Sequence, residues 1–422
     1  MNENTYLAIL REELVPAMGC TEPIAIAFAA AKARKILGRF PDGCTAYCSG
    51  NIIKNVKSVT IPGTQGQVGI EVAVLAGLIA ARPELQMDIL SSLKPNDANE
   101  IRRLAGSGFC KVRPLPGTCQ LHIRICLHAG QDQALVEVKR SHLNIVRIEK
   151  NSEVLLDIPD DSGKYLGSMT DRSKLTVDGI YRFAQSVDLS LVKDLLDMQI
   201  SCNMAIAEEG IKGKYGVAIG EMLLGRSNHC LSSKIKAYTA AASEARMCGC
   251  DMPVIINSGS GNQGITSSVP VIVYARHVKS GKDQLYRALL LSNLLTIHQK
   301  TLIGRLSAFC GVVSAACSSG AAMTYLDGGT SDQIKMTISN TLAMSPGIIC
   351  DGAKPSCAAK IAVSIDAAYI AHLLAMRTRA YSPGDGILKS NIEKTIAGVG
   401  RIAREGMKPT EEHILGTMLE CD

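Results

Sequence analysis

From Val177 onward almost every stretch of this chain carries the apolar spacing of an α-helix, and where such helices would meet, the side chains are small. The run Ser314-Ala315-Ala316-Cys317-Ser318-Ser319-Gly320-Ala321-Ala322 is the extreme case. Small residues let helix backbones approach closely, so this part is predicted to form a compact all-helical core. The spacing predicts helices over Val177 to Gln185, Leu189 to Glu209, Ala237 to Met247 and Gln284 to His298. It predicts four more over Ala308 to Met323, Ser331 to Met344, Ser356 to Met376 and Ile392 to Arg404.

The first part of the chain reads differently. Leu7 to Leu14 and Pro23 to Leu37 have helical spacing and are separated by Gly19-Cys20-Thr21. Between Cys44 and Asp157 the pattern shortens: Thr45 to Cys48, Leu121 to Cys126, Ala134 to Val138 and Leu143 to Ile148 have strand character. Their alternation of apolar and polar residues suits a sheet with one covered face. Gly69 to Ala81 and Asn96 to Leu104 read as helices among them. The predicted class is α+β. A mixed α/β domain (41–165) follows N-terminal helices (1–40) that pack with a mostly helical domain (166–422), the turn at 160–163 marking the boundary.

Composition excludes several classes. With 422 residues there is room for two substantial cores, and 20% charged against 46% hydrophobic residues describes a globular protein. The net charge of +6 is scattered, and with 5 Phe, 11 Tyr and no Trp there is no stacking platform, so no nucleic acid partner is expected. No signal peptide is visible in the polar opening, and apolar runs such as Val72 to Ala81 are too short to span a bilayer, so no membrane partner is expected. Fifteen cysteines without a secretory signal suit a reducing compartment, and the expected location is cytoplasmic.

The cysteines carry the chemistry. Cys350 and Cys357 are separated by six residues on a Gly/Pro-punctuated turn, and Cys310 heads the small-residue helix. With Pro355 at its first position, the helix after this turn would direct free N–H groups toward a thiolate centre or a carboxylate. Cys317 lies on the same helix face as Cys310 but ~10 Å along the axis, too far to share one centre. Spacing alone leaves open that all are small core residues, and the closely paired ferredoxin and zinc patterns are absent. Cys20 precedes a helix, where a thiolate is stabilised and the thiol pKa falls, making it a candidate base or nucleophile. An ordinary loop cysteine is the alternative.

Asn257-Ser258-Gly259-Ser260-Gly261-Asn262-Gln263-Gly264-Ile265-Thr266 can form a nest of backbone N–H groups suited to a small carboxylate. It is neither a P-loop nor a dinucleotide fingerprint, and a structural turn is the alternative. Asn51-Ile52-Ile53-Lys54-Asn55, Ile61-Pro62-Gly63-Thr64 and Ser141-His142-Leu143-Asn144 are polar turns that solvated loops would equally explain. The eight His show no metal-ligand spacing.

Taken together, the blocks Gly19-Cys20-Thr21-Glu22-Pro23-Ile24, Asn51 to Asn55, Ile61 to Thr64, His142 to Val146, Ala241 to Met247, Asn257 to Thr266, Arg305 to Ala308 and Ile349 to Lys360 closely resemble one family. It is the serine-dehydratase-like family that includes iron–sulfur L-cysteine desulfidase. The resemblance runs nearly end to end. It implies an oxygen-sensitive [4Fe–4S] lyase that eliminates H₂S from L-cysteine without pyridoxal phosphate, giving pyruvate and ammonia. By the family pattern Cys310, Cys350 and Cys357 would hold the cluster, whose remaining iron grips substrate, and Cys20 would remove the α-proton. Substrate contacts are expected from Asn257, Ser258, Gly259, Asn262 and Gly264, with Asn51, Lys54 and His142 beside them.

The rivals are an L-serine dehydratase with water as leaving group, a non-catalytic iron–sulfur sensor and a pyridoxal-phosphate lyase. The sensor would need a recognition module that is not found, and no lysine has a Schiff-base setting. An Ala/Gly-rich helical domain is also a natural face for a homodimer.

Overall fold

A computed structural model of the chain describes residues 3–117, 119–159, 170–225 and 230–420. The expected domain boundary at 165/166, with the turn at 160–163, lies outside the described residues. The order opens with α1 (Glu3–Glu13), β1 (Pro16–Met18), α2 (Thr21–Leu37), β2 (Gly43–Cys48), α3 (Gly50–Val56), α4 (Ile70–Ala80), a 3-10 segment (Pro83–Ser92) and α5 (Asp97–Ala105). Strands β3 (Cys110–Pro114), β4 (His122–Ala129), β5 (Asp132–Lys139), β6 (Ile145–Lys150) and β7 (Glu153–Asp157) follow.

These strands form one six-stranded sheet in the order β3-β2-β4-β5-β6-β7. All neighbours are antiparallel except β2 and β3, whose parallel pairing matches Cys44 with Cys110. A parallel pair needs a long crossover, and α3 through α5 supply it. The α+β class is as predicted.

The rest is helical: α6 (Val177–Ser186), α7 (Lys193–Gly210), α8 (Ile219–Gly225), α9 (Leu231–Met247), then a short β8 (Pro253–Ile255), and α10 (Gly261–His277). After these come α11 (Lys282–Ile303), α12 (Gly311–Leu326), α13 (Ser331–Met344), α14 (Cys357–Met376), α15 (Ile392–Arg401) and α16 (Lys408–Leu419). The small-residue helix α12 is central, packed by α10, α11, α13 and α14. A Cβ on its Gly320 would lie 2.9 Å from the Ala368 carbonyl oxygen, the close backbone approach that the small side chains permit.

The molecule has two main cores. One joins α1 to the helical part; the other joins α2 to the sheet and to α3, α4 and α5. The expectation that both N-terminal helices pack with the helical part therefore holds for α1 alone. In α2 the run from Thr21 to Ala31 is buried without interruption, so it has no solvent face and fills the space between α4 and the sheet. The chain passes from one core to the other at Gly19-Cys20.

By length and composition α14 is apolar enough to cross a bilayer, a segment the reading of apolar runs did not single out. It packs against α9, α12 and α13 and carries Cys357 at its start, as a core helix does.

Candidate active site

Backbone pairing assembles the site. β1 pairs with β8 in antiparallel register, Pro16 with Ile255 and Met18 with Pro253, so Gly19-Cys20 and the 257–260 turn leave one small sheet. Two hydrogen bonds then join the segments: Thr21 Oγ1 donates to Gly259 O at 2.9 Å, and Arg246 Nη2 donates to Gly19 O at 2.6 Å. Asn257 and Ser260 exchange backbone N–H bonds of 3.1 and 3.0 Å, closing the turn. Gly259 sits in the left-handed region at φ +78°, and a Cβ there would lie 3.0 Å from Arg305 Nη1.

A second pairing brings Cys310 and Cys350 together. Phe309 bridges Ile349, with Cys310 N–H donating to Ile348 O at 3.0 Å and Cys350 N–H to Ala308 O at 2.6 Å. Gly352, at φ +99°, then presses its backbone onto α3; a Cβ would fall 2.1 Å from Lys54 O. Only glycine fits.

One cavity between the two cores is lined by Cys20, Cys310, Cys350 and Cys357 together with Lys54, His142, Ser258, Gly259 and Asn262. Three expected contacts are not on its wall. Asn257 is fully buried, its Nδ2 donating to Asn293 Oδ1 at 3.0 Å while its Oδ1 accepts from Ser258 at 2.8 Å, so it holds the turn in shape. Gly264 is buried within α10, where a Cβ would meet Ile255 O at 2.0 Å. Asn51 lines a neighbouring cavity beside Glu411.

The wall also holds Glu22, Asn55, Arg246, Gln263, Lys300 and Arg305, none of which the sequence reading gave a role. A signal existed for two of them. Arg246 and Lys300 are charged, yet lie on helices otherwise rich in apolar and small residues, and they are 2% and 4% exposed. A buried lone charge needs a partner or a ligand.

The structure reverses one electrostatic expectation. Cys20 caps α2, where the dipole favours thiolate, but burial and then the negative charge of Glu22 push its thiol well above the usual value. The guanidinium of Arg246 opposes this without overcoming it. Cys20 Sγ donates to Glu22 Oε2 at 2.9 Å; Thr21 Oγ1 donates to the same oxygen at 3.0 Å and Asn55 Nδ2 to Oε1 at 3.0 Å. Burial would raise Glu22, but His142 and these donors outweigh it and hold its carboxyl below the usual range. His142 itself is lowered by burial, so its imidazole is neutral at pH 7. Lys300 is pushed down to about 8 by burial.

The sulfur pair is also polarised. The Cys310 thiol bonds to Cys350, so Cys350 is lowered and Cys310 raised, with Lys54 and Lys300 adding to the lowering of Cys350. Burial raises Cys357, whose Sγ lies 3.6 Å from Gly352 O.

Can this donor set hold a metal centre? Among the described residues no three His, Cys, Asp or Glu side chains are grouped closely enough to chelate a single ion. A polynuclear iron–sulfur centre has a different requirement, because each thiolate binds its own iron. Three thiols from separate segments lining one cavity, two of them at helix starts, meet that requirement. The wall is further marked by buried polar atoms without partners: Lys54 Nζ, His142 Nε2, Arg246 Nε and Gln263 Oε1. Unpaired polar groups cost about 1–3 kcal/mol each, so four around one cavity mark it as built for a ligand.

Comparison with known proteins agrees with this geometry. The profile of the serine dehydratase alpha chain family matches residues 84–416. A UPF0597 protein of Lachnoclostridium phytofermentans is 47% identical over 97% of this chain and 98% of its own length. One from Desulfitobacterium hafniense is 47% identical over 98% and 96%, and one from Bacteroides fragilis 37% identical over 98% and 97%.

Proposed function

Because the chain belongs to the serine dehydratase alpha chain family, we propose that it is a lyase that eliminates H₂S from L-cysteine, leaving pyruvate and ammonia. The observation that carries this reading is the single cavity lined by Cys20 and by three further thiols, ringed by unpartnered polar atoms. A [4Fe–4S] cluster held by Cys310, Cys350 and Cys357 supplies, when bound, a Lewis-acidic iron with an unfilled position.

The protein's own residues do the remainder. Arg246, with Nε unpartnered and facing the cavity, receives the substrate carboxylate beside Ser258. Its Nη1 is fixed at 3.2 Å from Asn262 Oδ1, which also accepts from Ser243 at 3.1 Å, so the guanidinium is oriented before substrate arrives. His142 Nε2 is free to accept from the substrate ammonium. Cys20 Sγ, as thiolate, takes the α-proton; the C–H electron pair becomes the Cα=Cβ bond as sulfide leaves with the Cβ–S pair. The resulting aminoacrylate hydrolyses to pyruvate and ammonia. The buried walls keep water away from the carbanionic transition state.

The test is anaerobic iron–sulfide reconstitution followed by L-cysteine and, side by side, L-serine. Equal sulfide and pyruvate from L-cysteine supports the proposal. Faster pyruvate from L-serine would assign the same mechanism to a dehydratase with water as leaving group. A full cluster with no turnover of either would point to a sensor.

A further inference from the structure

We propose that Glu22 is a positioning residue for this elimination: its carboxylate takes the thiol proton of Cys20 and so generates the thiolate that attacks the α-proton. The proposal rests on the lyase reading above. Its basis is the 2.9 Å bond from Cys20 Sγ to Glu22 Oε2, made entirely inside the protein, where Glu22 is 7% exposed.

A buried carboxylate next to a catalytic thiol is costly unless its neighbours are arranged to hold it. They are drawn from every element packed on it: Thr21 from α2 itself, Asn55 from α3, and His142 from the loop before β6. Arg246 of α9 faces the Cys20 end of the pair. The oxygen that accepts from Cys20 is fixed by a second bond from Thr21, whose hydroxyl also reaches Gly259 O at 2.9 Å on the substrate loop. The dyad is thus tied to the carboxylate-binding turn.

The resting pair is thiol and carboxylate, since burial and Glu22 raise Cys20 while Glu22 stays low. That suits the task. An amino-acid α-proton is only weakly acidic, and a thiolate from a high-pKa thiol is the stronger base, though scarce until its proton has somewhere to go. Glu22 Oε2 is that place. The balance closes: the thiol proton moves to Glu22, the α-proton moves to Cys20, and the Glu22 proton goes to the departing sulfide. Thiol and carboxylate are then restored.

A bland role competes with this one, because an acidic residue in the first turn of α2 also complements the helix dipole. The experiment separates them with Glu22→Gln, which keeps the shape, and Glu22→Asp, which keeps the charge. Each is assayed after reconstitution for iron content, kcat and KM. Each is also assayed without cluster for the pH dependence of Cys20 alkylation by a small haloacetamide, resolved by peptide mass spectrometry.

The expected result for Glu22→Gln is a kcat lower by at least ~100-fold, KM within about threefold and unchanged iron content. Its Cys20 alkylation should begin at lower pH, because a negative charge has gone; Glu22→Asp should recover part of kcat. A Glu22→Gln kcat within about threefold of wild type, or an unmoved alkylation profile, would overturn the proposal. If the wild type turns over neither amino acid, the lyase reading fails by itself, while the alkylation shift still decides whether Glu22 controls Cys20.

Discussion

Cys310 and Cys350 are locked side by side by backbone, not by their sulfurs: Cys310 N–H reaches Ile348 O at 3.0 Å and Cys350 N–H reaches Ala308 O at 2.6 Å. The thiol pair therefore exists before any metal arrives. Replacing Cys310, Cys350 or Cys357 by Ser should leave the fold intact by circular dichroism but prevent a full complement of iron and sulfide on reconstitution. Cys317→Ser is the control. That thiol is fully buried in α12, away from the cavity wall, and its loss should leave iron content unchanged.

Cys20 separates binding from chemistry. Cys20→Ala should reconstitute a normal cluster and lose at least ~100-fold in kcat, because it removes the proposed base without touching a ligand. Iron analysis and turnover on one sample check both halves. Full turnover in Cys20→Ala would exclude this thiol as the base.

Arg246 joins Gly19 O, Asn262 Oδ1 and the cavity. Arg246→Met should raise KM for the amino acid about 10- to 100-fold, the scale of one lost charge-assisted contact, and lower stability by about 2 kcal/mol. Arg246→Lys keeps the charge but not the fork and should fall between the two in KM. Steady-state kinetics and urea unfolding provide the two readouts.

The sheet carries its own pH signature. Glu137 accepts from His122 Nε2 at 2.7 Å, Lys139 Nζ at 2.9 Å and Arg124 Nε at 3.1 Å. Burial raises its carboxyl, but these partners win and lower it from 4.5 to about 2. A depressed carboxyl contributes stability that is complete above the unfolded value and is lost as pH falls through the folded one. The protein should therefore lose on the order of 2 kcal/mol between about pH 5 and pH 2 from this group. Urea unfolding of Glu137→Gln should show lower stability at pH 7 and a flatter slope over that window.

Much of the fold was legible because helical spacing and small interface residues are local signals. The Ser331–Met344 helix was read with its observed ends, and its Thr330–Gln333 capping box explains why. α3 was missed for a physical reason. Over seven residues, Lys54 and Asn55 look like solvated turn residues, but Ile52, Ile53 and Val56 enter the sheet core and carry the two polar side chains into the cavity wall. The start of α10 was taken as loop because its glycines and amides resemble a turn; Gly261, Asn262 and Gly264 are in fact the first helical turn.

The thiols were visible as residues with an unusual setting. Glu22 was quoted inside a motif but given no role, because an acid at a helix start is commonplace. What distinguishes it is Asn55 and His142, which are distant in sequence and near only in the fold. The lowered thiol pKa expected for Cys20 failed for the same reason, since helix position is local and burial is not.

The central claim is that Cys310, Cys350 and Cys357 hold a cluster with one iron left for substrate. Mössbauer spectroscopy of protein reconstituted anaerobically with ⁵⁷Fe, before and after L-cysteine or L-serine, tests it directly. The account predicts a four-iron spectrum in which a single iron subsite shifts on adding substrate. A full four-iron spectrum unmoved by either amino acid, or no four-iron spectrum at all, would contradict it.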